Sequence, residues 1–349
     1  MAECLTYKFR IKDTNTSKHL NKMAGSVNFV WNYCNETSLK AIKNHSDFLS
    51  GFDLNKLTSG CGKELNLHSQ TIQAICEEYV IRRKQFKKRK LKWRTAKRNL
   101  GWIPFKSSAV KINEDQIIYN KQKFRIWKSR DFDPSKIKTG SFTQDARGRW
   151  YINLVIEVDA KDQQGQLELG LDLGLKTQAS LSDGRKYQRE NLTKKYEKKL
   201  AMAQRANKKK LVKSIHAKIA NVRKDWNHKT ANSILENCKL LCIGDVSSKK
   251  LAKTNMAKSV LDSGWGQLRS FLNYKSKMLG TIAKDTNESY STVTCSHCLK
   301  KTGPQGLRQL GVREWTCKEC GTVHDRDTNA GKNILRTGHC ALIKGIPRL

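Results

Sequence analysis

Residues 167–174 read Leu-Glu-Leu-Gly-Leu-Asp-Leu-Gly, and the one aspartate in the second half of that apolar run decides the fold. The run up to Asp172 predicts a strand ending in an acid, then a turn at Leu175-Lys176-Thr177 and a second strand over 179–182. A lone carboxylate among apolar neighbours is costly to bury without a partner, and a divalent cation is a suitable one. Downstream, His324-Asp325-Arg326-Asp327-Thr328-Asn329 stands where a last helix opens. An N-cap accounts for one of its aspartates but not for both. Phosphodiester cleavage by two magnesium ions needs oxygen ligands from several carboxylates, so Asp172 and Asp327 call for a further acid.

Just ahead of the second acidic cluster, Cys295-Ser296-His297-Cys298 and Cys317-Lys318-Glu319-Cys320 form two CxxC knuckles separated by eighteen residues. That spacing closes a tetrahedral four-thiolate zinc site. Four sulfurs leave no open position, so the expected role of zinc is structural, with His297 exposed between its thiols. The remaining cysteines, Cys4, Cys34, Cys61, Cys76, Cys238, Cys242 and Cys340, are scattered and read as buried small hydrophobes. Met1-Ala2-Glu3-Cys4 lacks a signal pattern and no stretch has the apolar length of a membrane span, so the chain reads as soluble and intracellular, without a disulfide framework.

The chain has 349 residues, which favours three units over one. Sixty-eight Lys and Arg against thirty-one Asp and Glu leave a formal charge of +37, and nucleic acid is the expected polyanionic partner. The charge is densest over 82–98, with eleven Lys or Arg among seventeen residues and no acid, interleaved with Phe86 and Trp93. This stretch reads as the basic end of a helix over 68–97, with Arg82, Arg83, Lys87, Lys88, Arg89, Trp93 and Arg94 as phosphate and base contacts.

Ahead of it, Ala24, Val27, Val30, Trp31 and Cys34 form the stripe of an amphipathic helix, and Ile72, Ile75, Cys76 and Tyr79 a second one. Short alternating runs at 5–11, 102–105, 109–112, 116–119, 123–127 and 150–158 predict a small sheet, with a hairpin turn at 145–148 and a linker over 161–165. In the second half, Leu211, Ile215, Ile219, Val222 and Trp226 mark a basic helix. They are followed by a strand at 240–243, a helix over 259–279, a strand at 290–294 and a last helix from about Asn329.

The stretches GLDLGLKTQASLSDG (170–184), CSHC to CKEC, and HDRDTNAGKNIL (324–335) resemble the RuvC-type nuclease domain of the TnpB family, transposon-associated relatives of type V CRISPR effectors. The first half is similar more loosely, in VNFVWNYCNE (27–36), LGWIPFK (100–106) and KFRIW (123–127). The resemblance implies an α+β and α/β multidomain fold. A wedge-like β-barrel (1–15 and 99–160) would carry a helical recognition insertion (16–98). An RNase H-like RuvC domain (166–290 and 324–349) would carry a four-cysteine zinc insertion (291–323). It further implies magnesium-dependent, guide-RNA-directed cleavage of double-stranded DNA beside a short adjacent motif, with Asp172 and Asp327 as metal ligands. Strand transfer would belong to a separate transposase encoded nearby, and the setting would be a prokaryotic cytoplasm, on the nucleoid when DNA is bound.

One departure from the family pattern stands at 241–246, Leu-Cys-Ile-Gly-Asp-Val, where Gly244 replaces the usual glutamate at the end of a strand. Asp245 is one residue out of register, which turns its side chain to the other face. Glu288 stands before the zinc knuckles and resembles the relocated glutamate of some family members. The catalytic set read from the sequence is therefore Asp172, Glu288 and Asp327, with Asp245 as the alternative third acid. Rival readings are a nuclease-inactive RNA-guided DNA binder acting by occupancy, a strand-joining transposase, and a structural RNA-binding protein with no use for the acids.

Overall fold

The computed structural model describes residues 2–12, 15–45, 47–162, 165–306, 309 and 311–343. Met1 and residues 163 and 164 of the expected linker lie outside them. The chain divides into two compact units, 2–158 and 159 onward.

The first unit opens with β1 (Ala2–Ile11), then α1 (Asn15–His45), α2 (Gly51–Leu57), α3 (Gly62–Leu65) and α4 (Ser69–Phe86). It continues with β2 (Trp102–Lys106), β3 (Val110–Asn113), β4 (Gln116–Tyr119), β5 (Gln122–Trp127), β6 (Ile137–Gln144) and β7 (Trp150–Asp159). The seven strands form one sheet in the order β2-β6-β7-β1-β5-β4-β3. Alternation dictates its packing: Trp150, Ile152, Leu154 and Ile156 of β7 are buried while their neighbours are half-exposed. Phe105, Tyr119, Phe124 and Phe142 meet at ring distances of 5.3–5.8 Å in its core. Each such buried ring contributes about 1.5–3 kcal/mol of apolar burial. The α1 stripe closes on α4, with Trp31 edge-on to Tyr79 at 5.5 Å and Cys34 Sγ 3.7 Å from Cys76 Sγ.

The basic stretch departs from the expected helix. Helix α4 ends at Phe86, and Lys87 takes a left-handed backbone with φ 51°. Beyond Phe86, like charges crowd every turn and no apolar stripe remains to offset their repulsion in a helix. Residues 88–94 instead run without regular structure, held by two asparagines of α1. Asn35 donates to Leu91 O (2.7 Å) and accepts from Leu91 N (2.9 Å). Asn32 does the same for Arg94, at 2.8 Å both ways.

The second unit contains β8 (Leu167–Asp172), β9 (Ala179–Leu181), β10 (Lys186–Tyr187), α5 (Leu192–Arg205), α6 (Lys209–Leu235), β11 (Cys238–Gly244), α7 (Ser248–Leu251), α8 (Ala257–Ser263), α9 (Trp265–Met278) and β12 (Ile282–Thr286). A small hairpin of β13 (Glu314–Thr316) and β14 (Val323–Asp325) then leads into α10 (Arg326–Ile343). The five-stranded sheet has the order β10-β9-β8-β11-β12, with β8, β11 and β12 parallel and β9 and β10 antiparallel. Leu169, Leu171, Leu241 and Ile243 join one core with Ala231, Ile234 and Leu235 of α6 and Leu268 and Leu272 of α9.

Helix α10 packs on β8, β9 and β11. A Cβ on Gly170 would collide with Gly331 O, and one on Gly331 would stand 2.8 Å from Ser182 N. Only glycines allow the helix backbone to approach so closely.

Three further expectations change. The helix over 259–279 is two helices, because Gly264 adopts φ +71° between α8 and α9. Residues 290–293 are turns rather than a strand and Thr294 makes only an isolated bridge to Lys301, since β12 has already taken the sheet edge at 282–286 and Tyr290 has φ 62°. In α6 only Ile215 and Ile219 of the apolar stripe are buried; Leu211 and Val222 remain exposed, and Trp226 is half-buried. Of the scattered cysteines, Cys34, Cys76, Cys238 and Cys242 are buried, Cys61 is half-buried, and Cys4 and Cys340 are exposed.

Candidate active site

Asp172 is the last residue of β8, and Leu171 pairs with Ile243 of the parallel strand β11. The next residues, Asp172 and Gly244, therefore end the two strands side by side. Both belong to the row of Gly170 and Cys242, which faces α10. On the other side of β11, Gly244 pairs with Thr286, and Glu288 follows two residues later.

A Cβ on Gly244 would lie 2.5 Å from Glu288 Oε2 and 3.4 Å from Glu288 Cβ. Glu288 thus occupies the space of a side chain at 244. Its Oε2 is buried and, among the described residues, has no hydrogen-bond partner.

The electrostatics agree with this placement. Burial first, then the charges of Glu288 and Asp327, push Asp172 up to about 7, against a weaker pull from Arg326. Glu288 is also raised, by burial and by Asp245, and opposed by Arg269. Carboxyls raised by burial and by neighbouring acids are chemically suited to a divalent cation.

Asp245 fills a supporting role. Its Oδ1 accepts from Glu288 N at 3.2 Å, pinning the turn that carries Glu288. Arg269 of α9, which the sequence did not single out, donates to Gly244 O and stands 3.6 Å from Asp285 Oδ1. It braces the ends of β11 and β12 against each other.

The two aspartates of the second cluster have different tasks. Asp325 caps α10, accepting from Thr328 N (2.9 Å) and Thr328 Oγ1 (2.8 Å), and pairs with Lys186 at 2.6 Å. Asp327 lies one turn before Gly331, the point of closest helix–sheet approach, and is 14 % exposed. Arg313 Nη1 reaches its two oxygens at 3.1 and 3.4 Å.

Cys295, Cys298, Cys317 and Cys320 bring their sulfurs within 4.8 Å of one another. The contacts Cys295–Cys320 and Cys298–Cys317 measure 3.7 and 3.6 Å. A tetrahedron with Zn–S bonds of about 2.3 Å has edges of about 3.8 Å, so the four thiols fit zinc. His297 is exposed; His324, to which the sequence reading assigned no role of its own, places Nε2 3.0 Å from Cys295 Sγ and lies tilted against Trp315 at 4.6 Å. Asn329 and Asn333 of α10 each donate to both Ser291 O and Thr294 O at 2.7–3.2 Å, and Asn329 Oδ1 accepts from Ser296 N. One helix therefore carries Asp327 and grips the cysteine loop. Among the described residues, these cysteines are the only group of three or more Cys, His, Asp or Glu whose ligand atoms all lie within 4.8 Å of one another; Asp172, Glu288 and Asp327 do not close to that distance.

The expected nucleic-acid contacts separate. Lys87, Lys88 and Arg89 are exposed, and Trp93 is half in solvent. Arg82 is exposed and paired with Glu78 at 2.6 Å. Arg83 is buried, donating to Leu49 O over the Phe48 ring. Arg94 donates to Asn28 Oδ1 and lies 5.6 and 5.3 Å from the Trp31 and Trp102 rings. These last two arginines hold the fold together.

Known proteins are similar to this chain in sequence and fold. Residues 151–255 match the OrfB IS605 family model, described as "Probable transposase", and residues 265–334 match the Cas12f1-like TNB domain. Two bacterial relatives bear the name "Putative RNA-guided DNA endonuclease". The one from Streptomyces pristinaespiralis is 32 % identical over 218 residues, covering 58 % of this chain and 53 % of its own. InsQ of Escherichia coli K12 is 28 % identical over 228 residues, covering 57 % and 56 %. The chain thus spans about half the length of the curated relatives it matches. A solved Cas12f1–guide RNA–target DNA complex superposes with a TM-score of 0.63 at 13 % identity, over 93 % of this chain and 83 % of that one, and so shares the fold.

The fold is thus multidomain and Cas12-like. The chain is similar to the TnpB family, with family-model matches over 151–255 and 265–334.

Proposed function

We propose that this protein is an RNA-guided DNA endonuclease whose RuvC-type site consists of Asp172, Glu288 and Asp327. The observation that carries the reading is the carboxylate of Glu288 in the space of a side chain at Gly244, beside Asp172. The names of the bacterial relatives point the same way. The vacancy at 244, which is the ground for a nuclease-inactive binder, is filled by this acid.

Magnesium bound by the three carboxylates would supply an activated water and neutralise charge at the scissile phosphate. The orphaned Glu288 Oε2 and the raised Asp172 fit such a cation. Arg269 and Asp245 hold Glu288 in place, and Asn329 and Asn333 anchor the helix that presents Asp327. Zinc in the four-cysteine site is structural in this reading, within an insertion over 291–323. Residues 166–290 and 324–349 make the nuclease domain; 1–15 and 99–160 make the barrel, and 16–98 the helical recognition insertion. The partners are a guide RNA and double-stranded target DNA, and base pairing chooses the sequence. Such a protein works in a prokaryotic cytoplasm, on the nucleoid when bound, beside a separately encoded transposase.

The test is to purify the protein with its bound RNA, sequence that RNA, and present a library of matching targets with magnesium. Cleavage that disappears in both Asp172→Ala and Glu288→Ala supports the site. Cleavage that survives Asp172→Ala sinks it, and guided binding without any cleavage returns the inactive binder.

A further inference from the structure

A groove of about 760 Å³ lies in the first unit where the basic stretch leaves α4. Its floor is apolar and fixed: Trp31, Leu91 and Trp102, with the Arg94 guanidinium stacked against both indoles. Its rim is cationic. Lys88, Lys92 and Lys90, the last paired with Glu36 at 3.4 Å, line it together with Phe86, which is 57 % exposed. The one acid in the lining, Glu78, is held by Arg82.

An exposed aromatic face beside an apolar floor is costly in water unless something flat and apolar covers it. The lysines require that the same ligand carry negative charge on its outside. A nucleotide of an unpaired strand has both properties, with a π-face for the ring and flanking phosphates for the rim. A base inside a duplex does not offer its face.

We infer that this groove holds an unstacked base of a single-stranded nucleic acid against Phe86, with the neighbouring phosphates on Lys88, Lys90 and Lys92. The inference deepens the RNA-binding part of the proposed function and is independent of the carboxylates. Phe86 becomes a base-binding residue, while Arg94 supports the floor.

The experiment uses the full-length protein freed of RNA and short single strands bearing 2-aminopurine, as RNA and as DNA, with abasic strands alongside. Binding is expected to quench the fluorophore. Phe86→Ala should abolish the quench and weaken base-bearing strands by roughly 5- to 100-fold, with the salt dependence unchanged. Lys88→Ala/Lys90→Ala should lower the slope of log affinity against log salt by about 1.4 while keeping the quench. Phe52→Ala, a similarly exposed ring on α2, should change nothing. The RNA and DNA arms tell which strand supplies the base. If abasic and base-bearing strands bind alike, or Phe86→Ala behaves as wild type, no base sits in the groove and the inference falls. Asp172→Ala should keep the quench, so failure of the cleavage reading is distinguishable from failure of this one.

Discussion

Glu288 and Gly244 share one position in space: a Cβ on the glycine would meet the glutamate's Oε2 at 2.5 Å. An acid delivered from the β12 side thus occupies the end of β11, and the glycine is the condition for it.

Gly244→Ala is therefore expected to displace the Glu288 carboxylate and slow single-turnover cleavage about 10- to 100-fold, with a small change in melting temperature. The double variant Gly244→Glu/Glu288→Ala, which moves the acid onto β11, should recover part of that rate. Two variants that are both as fast as wild type would remove Glu288 from the mechanism.

Asp172 sets a pH dependence. With its folded pKa at about 7, above the ordinary 3.8, the metal-free protein binds more protons folded than unfolded between those values. Stability accordingly falls as pH rises from about 4 through 7, by at most about 4 kcal/mol from this group. Glu288, raised as well, adds in the same sense. Melting without divalent metal should thus be lower at pH 8 than at pH 5.5. Magnesium should restore it at pH 8, and Asp172→Asn should abolish most of the difference while stopping cleavage. A flat profile in the wild type contradicts this.

Arg269 links Gly244 O, Asp285 and, through its charge, Glu288. Arg269→Met, which keeps the aliphatic stem, should raise the magnesium concentration for half-maximal cleavage by about tenfold or more, with guide and target binding unchanged. Arg269→Lys should recover part of it. A lower melting temperature with an unaltered magnesium requirement would reduce Arg269 to a packing role.

In the proposed reading, removal of zinc from the four-cysteine site should act on the carboxylate site through α10. Thiolate coordination supplies on the order of 10–16 kcal/mol to such a module. Its loss frees Ser291 O and Thr294 O from Asn329 and Asn333. Cys317→Ser, or chelation, should therefore cost amide-exchange protection over 291–333 and abolish cleavage while β8 stays protected. Protection of the first turns of α10 in the zinc-free protein would break the proposed connection.

Much of this site is legible in the chain because its signals are local. The CxxC spacing, the acid closing an apolar strand and the stripe of α1 each depend on residues a few positions apart. Glu288 at Gly244 is not local in that sense: it depends on β12 lying beside β11, and resemblance rather than periodicity brought the glutamate forward. Arg269 and Arg313 gave no sequence signal, since one basic residue among sixty-eight Lys and Arg says nothing of its partner. The basic stretch misleads for a physical reason: its composition suits a helix, but its charges and the hydrogen bonds offered by Asn32 and Asn35 favour an extended path.

Those two asparagines perform the work of a missing neighbour strand. By satisfying both backbone groups of Leu91 and of Arg94, they arrest a charged segment that would otherwise be a fluctuating tether. The ordering cost, about 1–2 kcal/mol per residue, falls on folding rather than on encounter with the polyanion. Engagement of this segment then resembles a key entering a cut lock, with fast association and little heat-capacity change, and Asn32→Ala/Asn35→Ala turns it into coupled folding and binding.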